Sequence, residues 1–94
     1  MRKVGLIQFT LYSRSYCHLC EEMHTDLCAL LGPENIAVTI IDVDTDPALV
    51  EQYDELVPVL IGHSAQGSAV GLCHYFLAPE QVSAFVSSEL AQHR

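Results

Sequence analysis

Apolar residues crowd the start of the chain. Across residues 3–12, Val4, Leu6, Ile7, Phe9, Leu11 and Tyr12 leave little polar alternation. A strand covered on both faces has this character, because neither side turns to water. Ser13-Arg14-Ser15-Tyr16 then forms a polar turn that can supply a helix cap. The period changes after it. Over 17–31, Cys20, Met23, Leu27, Leu30 and Leu31 fall at spacings of three and four and draw one apolar stripe along a helix. Glu21, Glu22, Thr25 and Asp26 fill the opposite face, and the two glutamates suit the positive end of the helix dipole. Gly32-Pro33 stops the helix.

Residues 36–42 predict a second strand through Val38, Thr39, Ile40 and Ile41, followed by an acidic turn over 42–46. Asp46-Pro47 then reads as a helix start, with Asp as cap and Pro at the first helical position, for a short helix over 47–53. A third strand begins at Val57-Pro58-Val59-Leu60-Ile61, its proline tolerated at the strand's beginning. A polar turn over 62–67 leads to a fourth strand over 69–76, so the two pair as a hairpin. Ala78-Pro79-Glu80 opens the last helix, with Val82, Phe85, Val86 and Leu90 on its apolar stripe. The order β-α-β-α-β-β-α predicts an α/β fold with a four-stranded mixed sheet flanked by three helices. Residues 1–94 read as one domain without internal repeat or linker.

Half the residues are apolar and Trp is absent, which favours an aliphatic core of Leu, Val, Ile and Ala. Twelve acidic residues face four basic ones, for a net charge of −8. No basic patch exists to neutralise phosphates, which argues against nucleic acid and anionic membranes as partners. The same charge predicts a partner with a basic patch and association that weakens with salt. Arg2, Lys3 and Arg94 sit at the ends, so Arg14 is the interior cation. Met1-Arg2-Lys3 briefly resembles a leader, but Gln8, Thr10 and Arg14 interrupt the apolar run that a leader needs. A cytoplasmic monomer is therefore the expectation.

Four cysteines, at 17, 20, 28 and 73, lack the spacing of a secreted disulfide framework. Cys17-His18-Leu19-Cys20 instead places a thiol pair where a strand gives way to a helix. Unpaired backbone N–H groups there stabilise a thiolate, lowering a thiol pKa from about 8.5 to roughly 3.5–7.5 in such motifs. Cys17 is thus the candidate nucleophile. Cys20, one turn on and on the inner stripe, can resolve a mixed disulfide. A protonated His18 would add to the stabilisation of the thiolate. The competing metal reading would gather Cys17, Cys20 and His24, or draw on Cys28, Cys73 and His74. Structural zinc wants four closed ligands and no second paired motif supplies them, so no metal is expected. Cys28 and Cys73 read as small buried hydrophobes. His63 reads as solvated in a polar turn, and His93 as part of the C-terminal end.

Leu11-Tyr12-Ser13-Arg14-Ser15-Tyr16-Cys17-His18-Leu19-Cys20 resembles the active-site run of glutaredoxins. The acidic stretch Asp42-Val43-Asp44-Thr45-Asp46 and the segment Val57-Pro58-Val59 resemble the same family, in the same order along residues 4–91. Cys-His-Leu-Cys-Glu-Glu-Met is similar to a small bacterial glutaredoxin-like group. The resemblance implies a thioredoxin-like fold and thiol–disulfide oxidoreductase activity, with Cys17 as nucleophile and Cys20 as resolving thiol. It implies that Pro58 is cis and sets the Val57 backbone beside the substrate sulfur. Arg14 would help to hold an anionic substrate such as glutathione, and Tyr16 and His18 would flank the bound substrate. No cofactor would be bound. Glutathione would serve as co-substrate, or a disulfide-bearing protein as partner. Two departures bear on glutathione. Gly71-Leu72-Cys73-His74-Tyr75-Phe76 replaces the glycine pair and acidic residue that grip its γ-glutamyl end, and residues 47–53 carry no Arg or Lys for its glycine carboxylate. A non-catalytic interaction module of the same fold, or iron–sulfur binding through Cys17, are the alternative readings.

Overall fold

The structure, a computed structural model, describes residues 6–92. Expected strand residues 3–5, the basic residues Arg2, Lys3 and Arg94, and His93 lie outside that range. Four strands, β1 (Ile7–Ser13), β2 (Ile36–Asp42), β3 (Val59–His63) and β4 (Ala69–His74), form one sheet in the order β2-β1-β3-β4. Three α-helices accompany them: α1 (His18–Leu31), α2 (Pro47–Tyr53) and α3 (Pro79–Gln92). Short 3-10 turns at Pro33–Asn35 and Val43–Thr45 complete the chain. The mixed α/β arrangement and its order are those the sequence predicts.

Strand β1 lies inside the sheet, parallel to β2 from Ile7 opposite Ile36 to Ser13 opposite Asp42, and antiparallel to β3. Its successive residues Phe9, Thr10 and Leu11 are all buried, as a strand covered on both faces requires. Phe9 and Leu11 share one face. Met23 and Leu27 of α1 and Val82 and Phe85 of α3 join them in one core. Tyr12 points to the other face, where Tyr53 of α2 stacks on it with centroids 4.5 Å apart. The helices thus cover both sides of the central strand.

Several expectations are corrected. The core is not purely aliphatic, since Phe9 and Phe85 meet edge-to-face in it at 5.9 Å. On α1 the buried stripe runs through Cys20, Met23 and Leu27 towards Leu31, and Leu30 is swung to water at 40% exposure. On α3 Leu90 is likewise exposed, at 57%, and Glu89 takes the buried place at 4%. A carboxylate is tolerated there because Ala65 N–H, in the turn between β3 and β4, donates to Glu89 Oε1 at 2.8 Å. Strand β3 continues through Gly62 to His63, so His63 is not in the turn. Its Nε2 lies 2.7 Å from Thr10 Oγ1 across the β1–β3 pair. Strand β4 stops at His74 because Tyr75 adopts a positive φ of 64° and its N–H turns to Pro58 O at 2.9 Å.

Candidate active site

The site is assembled where β1 ends. After Ser13 the chain turns through Tyr16, which takes a positive φ of 58° and leaves its ring fully exposed. Cys17 follows in extended conformation as the N-cap of α1. The cap is the cysteine's own sulfur, not a side chain of the preceding polar turn. Cys20 N–H donates to Cys17 Sγ at 3.1 Å, and Glu21 N–H donates to Cys17 O at 3.2 Å. An Ala, Leu or Val here would leave the Cys20 N–H unpaired. Cys17 and Cys20 form a disulfide with Cα atoms 5.2 Å apart. The pair is asymmetric: Cys20 is only 5% exposed and Cys17 is half-buried. One sulfur therefore faces a visitor and the other backs onto the core. His18, the first residue of α1, is exposed and leaves the cleft to its neighbours.

A cleft of about 250 Å³ opens beside the disulfide. The turn from Arg14 to Cys17 forms one wall; Cys20, Glu21 and His24 of α1 form another, with Ile40 of β2 closing it. His24 Nε2 lies 3.8 Å from the sulfur of Cys28, which packs against the core from the same helix. Cys73 is separate from this group on β4. Burial pushes its thiol pKa up, and a hydrogen bond with the Ala78 backbone offsets part of the shift. Among the described residues no group of three or more His, Cys, Asp or Glu side chains is arranged to hold a metal.

Arg14 lines the cleft but its guanidinium is already engaged. Nη2 donates to Asp54 Oδ1 at 2.7 Å, and Nε and Nη2 donate to the two Asp44 oxygens at 3.1 Å each. The hydrogen bond to Asp54, then that to Asp44, holds the guanidinium pKa above even its ordinary high value. Asp44 sits in the 3-10 turn and Asp54 caps α2, so Arg14 ties the turn before Cys17 to both. Ser15 Oγ adds a contact to Asp42 Oδ2 at 3.3 Å.

The Val57–Pro58 bond is cis, and Pro58 is fully buried. Tyr12 pairs with Val59, so Pro58 stands at the Ser13 end of β1, the end from which Cys17 follows. Tyr75 braces this segment from outside β4, its hydroxyl donating to Glu55 O at 2.6 Å. Cys17, Cys20, Arg14 and Tyr16 thus share one cleft, and Pro58 stands at the same end of β1 without lining it. The carboxylate partners of Arg14 and the brace from Tyr75 were not foreseen. An isolated cation beside the run of aspartates at 42, 44 and 46 carried the signal for the first.

The family described as Glutaredoxin-like domain (DUF836) matches residues 8–87. The chain belongs to this glutaredoxin-like family. Among solved structures, the domain is similar to protein Ne2328 from Nitrosomonas europaea at 32% identity and a TM-score of 0.73, over 90% of this chain and 96% of that one. It is also similar to target protein XcR50 from X. campestris at 30% identity and a TM-score of 0.57, over 85% and 96% of the two chains. Chloroplastic thioredoxin z shares the fold at 20% identity and a TM-score of 0.65, over 92% of this chain and 80% of that one. A comparison with curated proteins finds no match. The glutaredoxin-like domain therefore has a thioredoxin-like fold, and its Cys17–Cys20 disulfide fits a redox role. No helix among the described residues is long and apolar enough to cross a membrane.

Proposed function

We propose that this glutaredoxin-like domain is a thiol–disulfide oxidoreductase. Reduced Cys17 attacks one sulfur of a substrate disulfide as a thiolate and expels the other sulfur as a thiolate, which takes up a proton. Cys20 then attacks Cys17 Sγ, closes the Cys17–Cys20 disulfide and releases the second substrate sulfur. Two electrons pass from the dithiol to the substrate, so the step needs no resident cofactor. The observation that carries this reading is the place of the Cys17 sulfur. It caps α1, accepts the Cys20 N–H at 3.1 Å, and is bonded to a cysteine that is itself buried. A backbone donor aimed at sulfur favours the thiolate over the thiol.

The substrate is a disulfide in a protein rather than a glutathione mixed disulfide. Arg14, the cation that would meet an anionic tripeptide, is held by two carboxylates. Helix α2 offers no basic side chain, and the stretch Gly71-Leu72-Cys73-His74-Tyr75-Phe76 lacks the glycine pair and acidic residue that would grip the γ-glutamyl end. Cis-Pro58 stands at the Ser13 end of β1, the end from which the dithiol follows, and Tyr16 and His18 are exposed near the dithiol. The test is reduction of a protein disulfide with electrons supplied by glutathione in one arm and by a thioredoxin system in the other. Turnover in the second arm, lost in Cys17→Ser, is the expected result. Full turnover by Cys17→Ser overturns the assignment.

A further inference from the structure

We propose that His24 is the proton acceptor that activates Cys20, with Cys28 holding its ring. The proposal rests on the dithiol reading above and adds the residue that the second step needs. Cys20 is 5% exposed, so its thiol cannot hand a proton freely to bulk water, yet it must become a thiolate to attack Cys17. His24 follows Cys20 by four residues on α1, which sets the two side chains one above the other on a helix face. His24 also lines the cleft that Cys17 and Cys20 line.

The other charged or titratable groups of that cleft are poorer acceptors. Arg14 stays charged and is bound to Asp44 and Asp54, Tyr16 points fully into solvent, and Glu21 is exposed. Strands β1 and β2 contribute only Leu11, Ser13 and Ile40. Imidazole is the side chain that exchanges protons near neutral pH. Cys28 selects the working nitrogen. With His24 Nε2 turned to Cys28 Sγ at 3.8 Å, an Nε2–H donating to sulfur leaves Nδ1 unprotonated and available to the cleft. The Cys20 S–H gives its proton to Nδ1. The thiolate attacks Cys17 Sγ, and the departing substrate thiolate takes the proton back from the imidazolium. Every proton and electron pair is then accounted for.

A two-phase thiol assay tests this. Reduced protein carrying Cys73→Ser is mixed with an aromatic disulfide such as dithiobis-nitrobenzoate. The first aryl thiolate released reports attack by Cys17, the second reports attack by Cys20 on the mixed disulfide, and a phase that persists in Cys17→Ser is assigned to the free thiol of Cys28 and subtracted. In His24→Gln the second phase is expected to slow about tenfold or more near pH 7 and to rise steeply with pH, while the first keeps its rate. In His24→Ala, added imidazole is expected to restore the second phase, which a merely structural role would not allow. An unchanged second phase in His24→Gln, equal slowing of both phases, or absence of imidazole rescue overturns the proposal. Loss of the second phase in the unsubstituted histidine background would instead strike at the dithiol reading itself.

Discussion

Gly62 is the position where a single methyl group should be felt most directly. It is buried in β3 opposite Phe9. A Cβ placed on it would stand 2.7 Å from Phe85 Cε2, 2.8 Å from Cζ and 3.0 Å from Cδ2. Ordinary contact begins near 3.4 Å, so the ring must retreat by about 0.7 Å. Three atoms of one ring edge are involved, and the Phe9 ring meets Phe85 edge-to-face, so a simple rotation does not clear the space. Phe85 is 9% exposed and fixed to α3, which would carry the shift. Overpacking of this kind costs about 1–3 kcal/mol. Alanine offsets part of that by restricting the unfolded chain, about 0.4–1 kcal/mol. Gly62→Ala should therefore lose about 1.3 kcal/mol of stability, taking the middle of both ranges, a fall in Tm of roughly 5–10 °C for a chain of this size.

Urea denaturation of the oxidised protein measures the loss, and a double-mutant cycle assigns its cause. Phe85→Leu removes the ring edge that the new methyl group meets. In that background Gly62→Ala should cost less than about 0.5 kcal/mol or become stabilising. If the cost is the same in both backgrounds, the ring contact is not its origin and the reasoning fails. Gly62 pairs with Phe9, well before the Ser13 end of β1, so alkylation of reduced Cys17 should keep its rate in the variant.

Asp46→Ala removes the acceptor that meets Ala48 N–H at 2.9 Å at the start of α2, and should cost about 1 kcal/mol in the same denaturation experiment. Arg14→Gln leaves Asp44 and Asp54 without their cation beside Cys17, and should slow alkylation of Cys17 at neutral pH, less so in high salt. Burial raises the Cys73 thiol pKa, so the stability gained by keeping it neutral is complete below its unfolded pKa and is lost as pH climbs through the higher folded one. Mass-spectrometric footprinting of the reduced protein should accordingly find Cys73 alkylated slowly until the chain unfolds.

The backbone plan was open to a reader of the sequence because it rests on local chemistry. Strand β2 and helix α2 occupy the residues that β-branched runs and the Asp46-Pro47 start predict, since each signal is complete within a few residues. Edges were less legible where a distant contact decides them. Leu90 obeys helical spacing, yet Glu89 is buried beneath the β3–β4 turn, because Ala65 N–H supplies a partner 24 residues away. Strand β4 ends early because Tyr75 takes a positive φ, and Pro58 opposite it accepts the Tyr75 N–H but has no N–H to return. At the site, Cys17, Cys20 and Pro58 were visible as residue types in order, whereas the engagement of Arg14 depends on how two separate segments fold beside it.

That engagement bears on how Cys17 is made reactive. The guanidinium near it is shared between two carboxylates, and Glu21 adds a negative charge in the first turn of α1. Side-chain charge around the cleft therefore sums to negative and opposes a thiolate. What favours the thiolate is fixed backbone, chiefly the Cys20 N–H at 3.1 Å and the unpaired donors of the same helix end. A backbone donor keeps its alignment whatever approaches, and salt screens it little because it acts at contact distance. An acidic rim acts at longer range, where it repels anionic thiols such as glutathione and draws cationic protein surfaces. On the proposed dithiol reading, reactivity and choice of partner rest on different parts of the site, one set by how α1 begins and the other by the aspartates that hold Arg14.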